Sequence, residues 1–366
     1  MKAVLISGIY FPDIGGPATY IPSLAQALTN RGYEVSVISL TDHLDTKRPE
    51  EPWKRIFVQR KMNKISRSYR LFREIRSEAK NSSLVFSNGL FPETALALLG
   101  LECKATAKIV GDPVWERVQN NEGTQYSIDE FAGKITSIKS LIHRKLMNLA
   151  LNQFTNLTAP SESLSRNIRD WGIQKKVKVI PNGVKCLECF DTTKEFDVIS
   201  LSRLVNWKRI DVLIQACALA NLKLAIVGEG PERNNLEKIA SLTECDVTFF
   251  GHKNRRDAQE ILGKSSIFAL LSSYEGLSFA LVEAMMLGKK ILVSDAPGNL
   301  GVINDGIEGL VTSSLKPSEI AKKLYELNQE NPSLNDMGIR AKEKAQRFYC
   351  EEKQVDAMIE FMNVDS

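Results

Sequence analysis

The sequence predicts an α/β protein of two domains, each built on a parallel sheet with helices packed against it. Short apolar runs of strand length alternate with longer segments of helical periodicity along the whole chain. The length of 366 residues suffices for two domains, and a hydrophobic content of 43% is ordinary for a globular protein. The formal net charge of +4 is small, so no nucleic-acid partner is expected and any basic surface must be local.

In the first half of the chain, apolar runs bounded by turn residues mark the predicted elements. The predicted strands cover residues 2–8, 33–40, 84–87, 156–160 and 176–181, and a further strand ends near residue 110. The predicted helices cover residues 20–31, 92–99 and 161–171, and two basic segments at 54–80 and 134–145 have helical spacing. Gly32 occupies the C-cap position of the first helix, and Ser161 supplies an N-cap for the third.

The second half repeats this alternation and ends in helices. Its predicted strands cover residues 196–201, 223–227, 247–250, 267–271, 290–295 and 310–311. Its predicted helices follow residue 208, begin at residue 278, and cover residues 317–329, 334–348 and 351–362.

Residues 272–287, SSYEGLSFALVEAMML, have the pattern of a strand end, a loop and a helix. Such a loop aims the free N–H groups of the helix, with Ser278 as N-cap, at the edge of the sheet where an anion binds well. Glu275 in the loop and Glu283 in the helix would repel a phosphate, so their expected partners are neutral hydroxyl groups of the same ligand. Phosphates together with hydroxyl groups describe a sugar nucleotide.

The spacing of Glu275 and Glu283 resembles the E-x7-E signature of the retaining glycosyltransferases of family 4. Other motifs extend the resemblance: a Gly15-Gly16 loop after the first strand, a GEGP turn at 228–231, and DGIEGLV at 305–311. The resemblance implies the GT-B fold, with two facing Rossmann-like domains and a C-terminal helix that crosses back to the first domain. It places an acceptor-binding domain at residues 1–182 with helix 350–366, and a nucleotide-sugar-binding domain at 183–349.

The resemblance also assigns roles to individual residues. Arg203 and Lys208 would bind the diphosphate of the donor, which makes an essential metal or other cofactor unnecessary. Glu275 would hold hydroxyl groups of the donor sugar and Glu283 the ribose. The remaining expected donor contacts come from backbone groups and short loops, at Gly15, Gly16, Gly228, Gly251, His252, Gly276, Leu277 and Ser278.

One position departs from the family. Many relatives carry a His in the loop after the strand that ends near residue 110, where this chain has Gly111-Asp112. Either Asp112 orients the sugar or handles a proton near the reacting centre, or it is the N-cap of the following helix.

The two basic segments suggest a membrane partner. In the first segment Arg67, Arg70, Arg73 and Arg76 recur every third residue, and a basic amphipathic helix can lie on an anionic membrane. The second segment offers the same interpretation, and a solvated helix face is the alternative for both. No signal peptide or long apolar run is found, so the expected location is the cytoplasm or the inner face of the membrane. Cys186 and Cys189 form one C-x-x-C pair without further metal ligands nearby.

The function that follows from the resemblance is transfer of a hexosyl group, with retention, from GDP-mannose or a UDP-hexose. The acceptor would be a glycan or a lipid-linked molecule of cell-surface polysaccharide or lipopolysaccharide synthesis. Two alternatives share the fold: a sugar-nucleotide epimerase, for which only Asp112 offers acid–base chemistry, and a non-catalytic scaffold, which would not need the full set of site residues.

Overall fold

A computed structural model describes residues 1–13, 15–43, 50–121, 128–135, 137–185 and 193–363. The chain divides into two compact units: Met1–Asn182 with Glu352–Ser366, and Gly183–Glu351. Cys186 and Cys189 lie outside the described residues. None of the helices in the described part of the chain combines the length and the hydropathy needed to span a bilayer.

The first unit has a seven-stranded parallel sheet in the order β3-β2-β1-β4-β5-β6-β7. In chain order its elements are β1 (Lys2–Ser7), α1 (Gly16–Asn30), β2 (Glu34–Thr41), β3 (Lys54–Gln59), α2 (Lys64–Ala79), β4 (Leu84–Asn88), α3 (Phe91–Leu98), β5 (Lys104–Lys108), α4 (Pro113–Asn121), α5 (Ile128–Phe131), α6 (Ile138–Leu151), β6 (Asn156–Ala159), α7 (Glu162–Asp170) and β7 (Val177–Val179).

The second unit has a six-stranded parallel sheet in the order β10-β9-β8-β11-β12-β13. Its elements are β8 (Phe196–Leu201), a 3-10 turn (Asn206–Lys208), α8 (Ile210–Ala220), β9 (Leu224–Val227), α9 (Arg233–Leu242), β10 (Val247–Gly251), α10 (Arg255–Gly263), β11 (Ser265–Leu270), α11 (Phe279–Met286), β12 (Lys290–Ser294), α12 (Pro297–Leu300), β13 (Leu310–Thr312), α13 (Pro317–Asn328) and α14 (Pro332–Phe348). The last helix, α15 (Glu351–Asn363), follows directly.

Both sheets are buried by helices on their two faces, because successive strand residues point to opposite sides. In the second unit one core packs the sheet against α8, α9 and α13, and the other packs it against α10, α11 and α14. The predicted fold class is confirmed by this arrangement. Helix α15 returns to the first unit, where Lys104 Nζ donates to the carbonyl of Asn363 at 2.9 Å and Asn156 Nδ2 donates to that of Phe361 at 3.2 Å.

Two predicted elements were wrong in detail. The first helix begins at Gly16 rather than at residue 20, because Pro17 is favourable in the first turn of a helix, where its missing N–H has no partner to lose. The basic segment 54–80 is not a single helix: Lys54–Gln59 forms β3, the edge strand of the first sheet, and pairs with β2. The run Ile56-Phe57-Val58, of β-branched and aromatic residues, was its strand signal.

Candidate active site

The second unit offers a site where its strand order reverses. Strands β8 and β11 are neighbours in the sheet, and their carboxyl ends are adjacent. The connection after β8 leads to β9 on one side, and the connection after β11 leads to β12 on the other side. Open α/β sheets bind ligands in the crevice at such a switch point. The two loops that begin there are tied together, since the backbone N–H of Ser273 donates to the carbonyl of Trp207 at 2.8 Å.

An ion pair joins the two loops directly. Lys208, at the end of the 3-10 turn, binds Glu275 Oε1 through its Nζ, and the two side chains are only 16% and 9% exposed. The fully buried Ser272 donates to the same carboxylate oxygen at 2.7 Å. Two sequence-predicted site residues are thus brought together, and Oε2 of Glu275 has no hydrogen bond with the described residues.

The loop after β11 is held from beneath. Ser294 at the end of β12 donates its Oγ to the carbonyl of Ser272 at 2.5 Å. A Cβ on Gly298 would lie 2.2 Å from the carbonyl oxygen of Glu275, so only glycine allows α12 to pack against this loop. The loop ends at Ser278, whose Oγ accepts from the N–H of Leu281 at 3.3 Å. This confirms the predicted N-cap. Gly276 and Leu277 lie in the loop just before it.

Arg203 differs from Lys208 in that no carboxylate among the described residues holds its side chain in place. Its side chain lies on the loop after β8, is exposed, and makes no hydrogen bond or ion pair with the part of the chain that the structure describes. The switch point therefore carries one cation held in place by a carboxylate and one that is open to solvent. Such a pair can receive a diphosphate, because each cation lowers the cost of bringing that charge to the sheet edge.

Glu283 is buried on α11 and is already bound from α10. Its Oε1 accepts from Arg255 Nε at 2.9 Å and from Gln259 Nε2 at 3.0 Å, which leaves Oε2 without a hydrogen bond among the described residues. Arg255 also approaches Glu351 Oε1, at 4.0 Å. These contacts hold the carboxylate in one orientation, with one oxygen able to accept from a ligand hydroxyl group.

The glycine-rich turn after β9 has a packing reason. Gly228 has a φ of 141°, and a Cβ there would lie 1.9 Å from the carbonyl oxygen of Ser202, so its missing side chain makes room for the loop that carries Arg203. Its N–H donates to the carbonyl of Gly251 at 2.9 Å. The next residue, His252, is exposed and has no hydrogen bond with the described residues. Gly228 and Gly251 thus fix the positions of the loops at this edge of the sheet through their own packing and hydrogen bond.

In the first unit, Gly15 is the N-cap residue of α1 and Gly16 is its first residue, so the glycine pair opens the helix that follows β1. Arg60 braces the loop before it by donating to Asp13 Oδ2 and Asp42 Oδ2, each at 2.6 Å. The free N–H groups of this first turn are able to bind an anion.

For Asp112 the geometry is that of the N-cap alternative. The side chain is fully buried, and its Oδ1 accepts from the N–H groups of Val114 at 2.9 Å and Trp115 at 3.2 Å, at the start of α4. Its Oδ2 is paired with the buried Arg144 of α6, whose guanidinium stacks on Trp171 at 4.5 Å. Both oxygens are occupied, so the structure does not support Asp112 as a catalytic residue.

The four arginines of α2 do not lie on one narrow face of the helix, and their contact with a membrane stays a prediction. At about 100° per residue, a spacing of three spreads them over about 180° of the helix surface. Arg67 donates to the carbonyl of Arg60 at 2.8 Å, and Arg76 donates to those of Ala97 and Leu99 at 2.9 Å. Arg73 pairs with Glu74, and Arg70 remains exposed.

Three contributors to the site were not expected from the sequence: Ser272, Gly298 and Arg255. Gly298 had a local signal, since a Pro-Gly pair at the start of a helix indicates a close approach. Ser272 and Arg255 had none, because their roles depend on contacts with other elements.

Comparisons with known proteins agree with this geometry. The family described as "Glycosyl transferases group 1" matches residues 190–344, and "Glycosyltransferase Family 4" matches residues 14–186. An uncharacterised glycosyltransferase of Methanocaldococcus jannaschii is 20% identical over 95% of this chain and 94% of that protein. Alpha-monoglucosyldiacylglycerol synthase of Streptococcus pneumoniae is 24% identical over 90% of this chain and 83% of that protein.

Among solved structures, HepE of Anabaena in complex with UDP and glucose superposes with a TM-score of 0.78, at 17% identity and with 98% of each chain covered. This likeness shows that the fold is that of the GT-B glycosyltransferases. The two family matches meet at the boundary between the compact units and together leave only short ends unmatched. The chain therefore belongs to the family 4, or group 1, glycosyltransferases.

Proposed function

We propose that the protein transfers a hexosyl group, with retention at the anomeric carbon, from a nucleotide diphosphate sugar to a lipid-linked or glycan acceptor. The observation that carries this proposal is the Lys208–Glu275 ion pair at the switch point of the second sheet, beside the open Arg203. Cations for a diphosphate and a carboxylate for sugar hydroxyl groups lie at one sheet edge, which is the chemistry that a sugar nucleotide requires.

In this proposal Arg203 and Lys208 bind the diphosphate, and the N–H groups at the start of α11 bind one of its phosphates. The free Oε2 of Glu275 accepts from hydroxyl groups of the sugar, and the free Oε2 of Glu283 accepts from the ribose. The bond from the anomeric carbon to the diphosphate oxygen breaks as the acceptor oxygen forms its bond to the same carbon. The acceptor proton moves to the departing diphosphate.

Attack on the face from which the diphosphate leaves would retain the configuration without a covalent intermediate. The contacts of Asp112 support this route, because its two carboxylate oxygens already bind Arg144 and two backbone N–H groups and are not available for attack on the anomeric carbon. The same contacts weigh against the epimerase alternative, which needed Asp112 as an acid or base.

Metal independence is part of the proposal and rests on Arg203 and Lys208, which supply the positive charge that a divalent cation provides elsewhere. Transfer should continue in an excess of EDTA. Loss of transfer in EDTA with recovery on adding Mg²⁺ would contradict this part alone.

A lipid-linked acceptor is supported by the relative named for monoglucosyldiacylglycerol synthesis, and UDP-hexoses are the first donors to test because HepE was solved with UDP and glucose. Such an acceptor places the reaction at the cytoplasmic face of a membrane.

The test is a thermal-shift panel of UDP, GDP, ADP and their sugar conjugates, since a ligand that binds only the folded state raises the melting temperature. The wild type is compared with Arg203→Ala and Glu283→Gln, and with Arg256→Ala as an exposed cation elsewhere on the second unit. Nucleotides of one base should raise the melting temperatures of the wild type and of the Arg256→Ala control. The same nucleotides should raise the melting temperatures of Arg203→Ala and Glu283→Gln by less.

If none of the nucleotides raises the melting temperature, the scaffold alternative is favoured. A sugar nucleotide that is converted to an isomer without any acceptor would favour the epimerase. Retention is read separately, from the anomeric coupling constant in the NMR spectrum of the product.

A further inference from the structure

Helix α6 of the first unit exposes its apolar stripe instead of burying it. Ile138, Ile142, Leu146 and Leu149 recur at helical spacing, and each is more than half exposed. The opposite side of the helix is the buried one, and it carries Ser140, Arg144, Ala150 and Leu151. None of the 14 residues of α6 is acidic. An apolar stripe of this size on the surface of a soluble unit marks a binding surface.

The stripe borders a groove. Helix α3 lies beside α6 and exposes Leu96 and Leu99, which are 56% and 50% accessible. The groove between α3, α4 and α6 has a volume of about 540 Å³, and Ala95, Val114, Met147 and Ala150 are among its lining residues. Its walls are therefore mainly hydrocarbon.

Positive groups gather at one end of this groove. Nη1 of Arg117, on α4, lies 2.9 Å from Nε2 of His143, on α6, and both residues line the groove. Lys139 of α6 and Lys64, the first residue of α2, complete what we call the basic cluster. The pKa of His143 is lowered by partial burial and by the charges of Arg117, Lys139 and Lys64.

We infer that the basic cluster lies at the carboxyl edge of the first sheet, where the loops that follow its strands begin. Lys64 follows β3, and the first turn of α6 precedes the run that leads back to β6. Helices that return from the carboxyl edge of a parallel sheet start at that edge. The glycine loop after β1 opens at the same edge. A molecule that places an anion at the basic cluster and its hydrocarbon along α6 would therefore have its polar end near the glycine loop.

We propose that the groove between α3, α4 and α6 binds the hydrocarbon of a phosphate-headed lipid, with the phosphate at the basic cluster of Lys64, Arg117, Lys139 and His143. The charge pattern favours a lipid over a second copy of the chain, because like charges would face each other in a symmetric contact. Apolar burial and attraction to anionic headgroups are together sufficient for stable attachment, whereas either alone is marginal. The inference deepens the proposed function, since it names the acceptor class.

This assignment replaces α2 by α6 as the membrane-facing element. The exposed arginines of α2, Arg70 and Arg73, lie outside the basic cluster, and they provide matched controls for charge. Leu242 of α9 provides a matched control for the apolar stripe, because it is 84% exposed but belongs to the second unit.

The first experiment is co-sedimentation of the full chain, without nucleotide, with vesicles of phosphatidylglycerol mixed with phosphatidylcholine and with vesicles of phosphatidylcholine alone. The wild type should bind the anionic vesicles. Leu149→Glu and Lys139→Glu should each weaken that binding by about tenfold, while Leu242→Glu and Arg70→Glu should change it by less than about twofold. All four side chains are exposed, and unchanged melting temperatures verify folding of the variants.

The second experiment needs no variant. The chain has three His residues, so the His143 ring can be resolved and titrated by NMR. A short-chain phosphatidic acid at the basic cluster should raise the pKa of His143, and phosphatidylcholine of the same chain length should not. Inorganic phosphate tests the headgroup alone and should raise it less.

Anionic-vesicle binding that survives Leu149→Glu and Lys139→Glu overturns the proposal. So does a groove variant that alters only the oligomeric state, or an effect of inorganic phosphate equal to that of the lipid. Because every readout omits the donor, a failure here is distinct from a failure of nucleotide binding in the second unit.

Discussion

Lys208 and Glu275, which are 67 residues apart in the sequence, form a largely buried ion pair across the switch point of the second sheet. The pair fixes the ammonium group of Lys208 before any donor arrives. A diphosphate that meets a cation already in position incurs a smaller ordering cost than one that must immobilise a free lysine. Arg203, in contrast, is exposed, and its ordering would accompany binding.

This difference predicts distinct effects of two alanine variants. Arg203→Ala should leave the melting temperature unchanged, because it breaks no contact with the described residues, but should lower kcat/KM about 10²–10³-fold. Lys208→Ala should lower kcat/KM and also destabilise the second unit by about 1–3 kcal/mol, since the buried carboxylate of Glu275 loses its charged hydrogen-bond donor. Thermal unfolding and initial-rate assays check both.

Gly298 and Gly301 form a matched pair in and beside α12. Gly298→Ala places a Cβ 2.2 Å from the carbonyl oxygen of Glu275, whereas the nearest atom to a Cβ on Gly301 is 3.7 Å away. Gly298→Ala should therefore displace the Glu275 loop and weaken nucleotide binding, although its side chain makes no donor contact. Gly301→Ala should behave as the wild type in the same thermal-shift assay. Equal behaviour of the two variants would mean that the loop adjusts without cost.

Asp112→Asn separates the two roles considered for this residue. Asparagine can still cap α4, but it leaves the buried Arg144 without a counter-charge, so a loss of about 3–5 kcal/mol in the free energy of unfolding is expected. Adding Arg144→Met should recover part of the loss. A large fall in kcat with an unchanged unfolding curve would instead restore a catalytic role.

Lys108 predicts an unusual dependence of stability on pH. Its side chain is fully buried on β5, and among the described residues its Nζ has no hydrogen-bond partner and lies 3.7 Å from the centre of the Tyr20 ring. Burial lowers the pKa of Lys108 from 10.5 to about 7. The unfolded chain therefore holds one more proton than the folded chain between about pH 7 and pH 10.5. The resulting penalty is complete below the folded pKa and disappears as the pH rises through the unfolded value.

Lys108→Met should accordingly raise the free energy of unfolding at neutral pH, by on the order of a few kcal/mol, with attraction to the Tyr20 ring offsetting part of the gain. It should also flatten the rise in stability between neutral and alkaline pH. Urea unfolding at several pH values measures both effects, with Lys178→Met, an exposed lysine on β7, as the control. A variant less stable than the wild type at all pH values would show that the ammonium group is stabilised in the fold.

Much of the architecture follows from local patterns in the sequence. The period of the apolar residues distinguishes strands from helices, and β8 has the predicted bounds of residues 196–201. The caps at Ser161 and Ser278 were predicted because a cap needs only the residues within one turn. The signature around Glu275 and Glu283 identified the family for the same reason, since its residues lie on one loop and one helix.

Contacts between elements were decided by the tertiary structure alone. Strand order brings Lys208 to Glu275, Arg255 to Glu283 and Arg144 to Asp112, and no local pattern records which loops become neighbours. Helical spacing indicated a helix at residues 134–145, but whether the apolar residues of α6 are covered depends on what packs beside them. The sequence by itself therefore determined most of the strands, the fold class and the family. The tertiary structure decided which charges are paired, which remain open and which apolar surface is left exposed, because those properties depend on residues distant in the chain.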